Sequence, residues 1–421
     1  MAVGQFMKRA AERDYSKFWA EEGSFPWLFQ QALPPITGRP ISVRENYARC
    51  VRGEQPYWMP NYFLEKNILW PDAVEEHPVP EKNGFDWWGV DWYMEPGIGG
   101  MITKPGTRVI SDFAEWKNEV EWPDLGCVDF ASDGKKLQTR LDPDRPHIFE
   151  CTEGVFERLH EMMPFDESLL AFYEEPELLE EFFQKMADYK IEVCQKVFEN
   201  YGVVDGVLYH DDWGTQRGGF FSNEMFREQI MPATKRIMDY IKSQGKFIEL
   251  HSCGKNIQYV PEMIELGIDM WTPQVGINEP DFLVEHYGDR MTFAFDMPIA
   301  PDATESRIRQ QTRDFVDRFG AKGRVMCWIM GTPEQSAIAG DELYTYSSAY
   351  YKKLYNRKTT RGGKRRPGIF LDGHGKKIMI KLYIYSMIQL KRWCAGGMSA
   401  VWKGQIWQWG KKIWKISMQS F

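Results

Sequence analysis

From His147 onward the chain alternates short apolar runs with longer helical patterns, and this alternation restricts the fold more than any other feature of the sequence. The strand-like runs are His147–Cys151, Gly206–His210, Lys246–His251, Met270–Pro273, Met291–Phe295 and Arg324–Met330. The helical runs lie near Glu175–Glu199, Asn223–Ser243, Asn256–Glu265, Glu279–Tyr287 and Ala303–Arg318. Strands separated by helices with short connections pair in parallel through right-handed crossovers. The expectation is an α/β protein, first a (β/α)8 TIM barrel and second an open doubly wound sheet. No GxGxxG turn follows any of these strands, so the usual dinucleotide fingerprint is missing.

Upstream of this region the pattern is less regular. Residues 1–55 read as an N-terminal helical extension, with an amphipathic start (Phe6, Ala10, Tyr15, Phe18, Trp19), an irregular proline-rich stretch from Pro26 to Pro40, and a short Ser-capped helix from Ser42 to Gly53. A catalytic barrel is expected over residues 56–355, with Pro56–Pro60 as its first strand. From Pro71 to Pro146 the chain is rich in Trp, Pro and Gly, and is expected to form long loops and small strands over one mouth of the barrel. Its aromatic segment Trp87–Tyr93 either lines a pocket for a flat substrate or packs that cap. After Tyr355 the composition changes: Arg357–Phe421 holds one acidic residue, Asp372, among many Lys and Arg. Residues 356–421 are therefore read as an atypical basic tail, disordered or packed on the acidic body, or else as the product of a slipped reading frame.

The net charge of −8 gives no electrostatic footprint for nucleic acid. No apolar run approaches the roughly 18 residues of a membrane span. Seven scattered cysteines and no signal-peptide apolar region at the start predict reduced thiols and a cytoplasmic location.

The chemistry-bearing residues fall at strand ends. In Lys246-Phe-Ile-Glu-Leu-His-Ser-Cys-Gly254, alternation puts Glu249, His251 and Cys253 on one face just before a glycine turn, as a metal site or as a buried thiol beside a bonded histidine. Tyr209-His-Asp-Asp-Trp-Gly214 offers His210, Asp211 and Asp212 for proton handling. Adjacent carboxylates on a strand face opposite ways, so only one of the two is expected in the site; the competing reading of the pair is a helix cap or a loop-bracing Asp bonded to backbone amides. Gln274 and Asp296 end two further strands and are expected to bind substrate. Cys327 sits in the apolar run Arg324–Met330, and taken alone is a core residue.

These motifs resemble the uroporphyrinogen decarboxylase superfamily and, within it, the zinc-dependent methyltransferases that work with corrinoid proteins. The resemblance runs from about Arg44 to Tyr355. It is carried by Asp211-Asp-Trp-Gly-Thr-Gln216, Ser222–Pro232, Leu250-His-Ser-Cys-Gly254, Glu265–Asp269, Tyr287–Arg290 and Gly331-Thr-Pro-Glu334. It implies zinc held by His251, Cys253 and Cys327 at the mouth of a TIM barrel; Glu249, from its place on the same strand face, is expected there as a substrate-binding residue, a fourth ligand or a partner that orients the imidazole. It also implies methyl transfer between a corrinoid (cobalamin) carried by a partner protein and a small molecule, which is a methoxylated compound, a methylamine or a thiol. It leaves room for a homodimer. Two alternatives stand beside it: a decarboxylase-type carboxy-lyase, and a non-catalytic subunit that binds a corrinoid protein. The decarboxylase carries an arginine-rich propionate clamp after the first strand, whereas Pro56–Leu64 here has no arginine.

Overall fold

The structure is a computed structural model that describes residue 36 and residues 38–74, 84–95 and 100–360. The chain divides into two units, Met1–Arg357 and Lys358–Phe421, and every strand described below belongs to the first. The expectations for Met1–Gly23 and for the basic stretch beyond residue 360 lie outside the described residues.

Seven strands form one parallel sheet: β1 (Asn67–Leu69), β5 (His147–Cys151), β6 (Gly206–His210), β7 (Phe247–His251), β8 (Met270–Thr272), β9 (Thr292–Pro298) and β10 (Val325–Met330). Each pairs with the next in chain order, with helices in the crossovers, which is the TIM-type architecture expected from the alternation. The ring closes at a parallel bridge between Asn61 and Cys327, where Tyr62 N donates to Cys327 O at 2.9 Å and Cys327 N donates to Pro60 O at 3.0 Å.

The first strand is Asn67–Leu69 and not Pro56–Pro60. Pro56 and Pro60 have no N–H to give to a ladder, so that segment packs as an irregular seam, with Trp58 and Met59 fully buried. The predicted helix Asn223–Ser243 is helical throughout but widens to a π turn over Phe226–Ile230, immediately before Pro232. The missing amide of Pro232 is the local cause.

Strand alternation divides the core into two layers. Met270, Ala294 and Met326 face the barrel axis with Tyr47, Cys50 and Tyr62. Trp271, Phe293, Phe295, Val325 and Cys327 face the helices, as the 5.0 Å contact between the Phe295 and Phe319 rings illustrates.

Residues 84–95 and 100–103 form a small antiparallel sheet of β2 (Gly84–Phe85), β3 (Asp91–Glu95) and β4 (Gly100–Thr103). Its aromatic side chains are packing elements. Trp88 meets Tyr189 at 4.7 Å and Trp122 at 5.2 Å, against the helix Pro176–Asn200. The fully buried Asp86 carboxylate accepts from Trp92 Nε1 at 3.0 Å and from Arg158 at 2.9 Å, tying this cap to the helix Val155–Met162. Among the described residues, no helix is long and apolar enough to cross a membrane.

Candidate metal and substrate site at the barrel mouth

Parallel pairing of β6 with β7 puts His210 directly opposite His251 at the C-terminal ends of their strands. The two imidazoles stack with centroids 4.7 Å apart. Each is held through Nδ1: His210 by the Glu157 carboxylate at 2.8 Å, and His251 by Thr272 Oγ1 at 2.9 Å. That arrangement leaves Nε2 of both rings for a ligand and fixes ring orientation. Asp212 completes the group, and ligand atoms of His210, Asp212 and His251 all lie within 4.8 Å of one another. Cys253 adjoins them, its Sγ 3.3 Å from His251 Nε2 and its amide donating to Asp212 Oδ1.

The electrostatics keep the two histidines in different states. Burial alone would lower His210, but Glu157, by its charge and hydrogen bond, holds it well above the ordinary imidazole range. Burial, with the neighbouring His210 charge, pushes His251 down to about 4, so it stands neutral and available as a ligand. Burial and the nearby Asp212 raise the Cys253 thiol, so a cation is needed to make it a thiolate.

The backbone is specialised around these groups. Gly254 has φ +94, and a Cβ there would lie 2.2 Å from the Gly214 carbonyl, so this close approach of the β6 and β7 loops requires glycine.

Asp211 turns away from the cluster. Its carboxylate accepts from the amide of Glu157 at 2.9 Å and caps the helix Val155–Met162, which removes it from the catalytic set. Glu249 also lies outside the cluster. It is fully buried two residues below His251, where it accepts from Tyr47 at 2.5 Å, Tyr62 at 3.2 Å and Lys66 at 2.5 Å. Cys327 is not brought to His251 and Cys253 either. Its strand parity sends its side chain to the helix-facing layer, and its inward neighbour is Trp328, paired with Asp296. Gln274 and Asp296 do reach the mouth: Gln274 Oε1 accepts from Gly254 N at 3.0 Å, and Asp296 Oδ1 from Val275 N at 3.3 Å.

Sequence reasoning missed Glu157, Thr272 and Lys66. It also missed Glu150, whose side chain faces inward from β5 and which burial pushes up to about 7.

Residues 86–326, more than half of the chain, match the family model described as Uroporphyrinogen decarboxylase (URO-D). The chain belongs to the uroporphyrinogen decarboxylase family. Among solved structures it is similar to a methyltransferase from Methanosarcina mazei at 13% identity and a TM-score of 0.50, over 75% of this chain and 99% of that one. An endo-beta-1,4-xylanase from Gloeophyllum trabeum follows at 9% identity and a TM-score of 0.34, over 50% of this chain and 70% of that one. Identities this low concern the fold alone. No curated protein matches the chain. Within the uroporphyrinogen decarboxylase family, the arginine-free segment Pro56–Leu64 is the seam of the barrel here, with Trp58, Met59 and Tyr62 packed inside.

Proposed function

We propose that this protein is a zinc-dependent methyltransferase of the uroporphyrinogen decarboxylase family. It would move a methyl group between a corrinoid carried by a partner protein and a small-molecule donor or acceptor. The observation that carries this reading is the cluster of His210, Asp212 and His251, with Cys253 beside it, at the C-terminal ends of β6 and β7. Two imidazoles and a carboxylate, with room for a fourth ligand, form a donor set that zinc accepts, and the Cys253 thiol adds a soft donor. His210, Asp212 and His251 would hold the ion. Bound there, zinc would supply Lewis acidity, stripping the proton from a thiol acceptor or polarising the heteroatom that releases the methyl group.

This chain's own residues do the rest. Glu157 and Thr272 hold the two rings at Nδ1, so neither needs to reorient when a ligand arrives. His210 would give up its Nε2 proton on taking the ion, while its Nδ1 proton stays with Glu157. Thr272 and the buried layer beneath it exclude water from below. Decarboxylation of a porphyrinogen fits less well, because the seam segment offers no arginine to pair with propionates.

Metal analysis of the purified protein, combined with methyl transfer from methylcobalamin to a thiol followed by cobalamin absorbance, tests the reading. The wild type is expected to hold one zinc per chain and to turn over. H251A and D212A should lose zinc, while C327S should keep it. A wild-type protein that binds no zinc, or an H251A variant that retains both zinc and turnover, would overturn the assignment.

A further inference from the structure

A cleft of about 390 Å³ opens beside the cluster, walled by the loops that leave β6, β7 and β8. Its lining includes Gln216, Arg217, Lys255, Val275, Ile277 and Glu279. Two of these are cations whose side chains have no hydrogen-bond or ion-pair partner among the described residues. Both follow directly from the cluster along the chain. Lys255 is two residues past Cys253, and Arg217 is five past Asp212. Two residues of extended chain span at most about 7 Å, so the lysine backbone stays near the proposed metal position.

The cleft is fixed in shape by a buried side chain. Asn278 Oδ1 accepts from the amides of Asn256 at 2.9 Å and Ile257 at 3.1 Å, while its Nδ2 donates to the carbonyls of Gly254 at 2.8 Å and Gln274 at 3.0 Å. One residue thereby ties the β7 loop to the β8 loop. Gln274 Oε1 is already occupied by Gly254 N and by Gln216 Nε2 at 3.1 Å. The cleft gathers the cations Arg217 and Lys255 and one carboxylate, Glu279, with Val275 and Ile277 as an apolar wall, and clefts of this size hold small ligands.

We propose that this cleft binds the carboxylate of the methyl-group substrate, and that the substrate class is therefore small organic acids. That the bound acid is a substrate rests on the proposed function; that the cleft binds an acid does not. The charge count favours a carboxylate over a phosphate: Arg217 and Lys255 against Glu279 leave a single positive charge, which matches a monoanion. Arg217 supplies a planar fork suited to two carboxylate oxygens and Lys255 a point charge. An acid held this way presents its apolar remainder to Val275 and Ile277 and can extend its far heteroatom toward His251 and Asp212.

The test is titration calorimetry on the zinc-loaded full chain with two matched pairs, benzoate with benzamide and butyrate with butyramide, repeated on an R217M/K255M double variant. Each acid of a pair is expected to bind at least about ten-fold more tightly than its amide, because only the acid makes charge-assisted bonds. The double variant should lose that preference while keeping its zinc content and thermal midpoint. If neither acid binds more tightly than its amide, or the double variant keeps the preference, the carboxylate site is refuted. If inorganic phosphate displaces benzoate at concentrations below those at which benzoate itself binds, the cleft is a dianion site and the assignment is equally refuted. A wild type without zinc that still shows the preference, and loses it in the double variant, would refute the metal reading and leave the cleft standing. Zinc present with no preference would do the reverse.

Discussion

Lys66 Nζ lies 2.5 Å from Glu249 Oε2, with both side chains wholly sealed inside the barrel. The lysine precedes β1 and the glutamate belongs to β7, so the pair spans the barrel beneath the site. Tyr47 and Tyr62 donate to the same carboxylate. Removing one partner of a buried pair strands the other charge, which typically costs about 3–5 kcal/mol. E249Q is therefore expected to lose stability of that order in urea unfolding while zinc content stays at the wild-type level. A K66M/E249L double variant should recover much of the loss. Wild-type stability together with lost zinc in E249Q would return Glu249 to the metal site.

Glu157 is expected to act on the metal through His210. Partners that orient a ligating imidazole are commonly worth about 10–100-fold in metal affinity, so E157Q should weaken zinc binding by that factor. Its backbone amide still reaches Asp211, so the helix cap survives. Competition with a chromophoric chelator measures the affinity, and an unchanged value would show that His210 needs no carboxylate behind it.

Glu65 should give the protein a pH dependence with a definite sign. Burial pushes its carboxyl up to about 7 from an ordinary 4.5, against the opposing hydrogen bonds from Trp58 Nε1. The folded state then holds the proton more tightly than the unfolded chain. Its contribution is complete below pH 4.5 and is lost as the pH rises through about 7, by at most about 3 kcal/mol. Unfolding free energies of wild type and E65Q should draw apart in favour of E65Q between about pH 5 and about pH 8. A difference that stays flat across that interval would contradict the assignment.

Gly154 has no room for a methyl group. A Cβ at this position would stand 2.3 Å from Cβ and Cγ of Asp211. G154A should displace that cap and cost about 2–4 kcal/mol from overpacking and the lost cap together. Gly218, where a Cβ meets nothing within 4 Å, is the control, and G218A should lie within about 0.5 kcal/mol of wild type. Equal thermal midpoints for the two variants would show that the Asp211 turn yields more easily than its contacts indicate.

Most of the barrel was legible because its strands are apolar runs bounded by turn residues. His147–Cys151 and Gly206–His210 have the expected limits. Pro56–Pro60 misled because its aromatic density resembles a strand, while its two prolines forbid a ladder. In the site, His210, Asp212, His251 and Cys253 could be read from strand ends, and alternation correctly required one of Asp211 and Asp212 to leave. Cys327 could not be placed the same way, since it and Trp328 differ by one residue and only the pairing of Trp328 with Asp296 shows which faces inward. Glu249 shares a face with His251, but two residues of strand put it about 6.6 Å deeper. Its partners Tyr62 and Lys66 come from a stretch where no periodicity announces them, and Tyr47, though on the predicted Ser-capped helix, carries no local sign of a partner 202 positions away. Glu157 was invisible for a similar reason: its histidine lies 53 positions away, and no local pattern joins them.

The bridge between Asn61 and Cys327 sets the order in which this protein can be made. A growing chain exposes the Pro60–Tyr62 segment early, with its hydrogen-bonding groups unmet, and the strand that satisfies them is the last of the sheet to be synthesised. Until β10 arrives, the half-built sheet carries an open edge and the buried charge pair beneath it has no closed wall, which is the condition under which nascent barrels associate wrongly. Yield in a recombinant host should thus respond to synthesis temperature and to chaperone supply more than to the equilibrium stability of the finished fold.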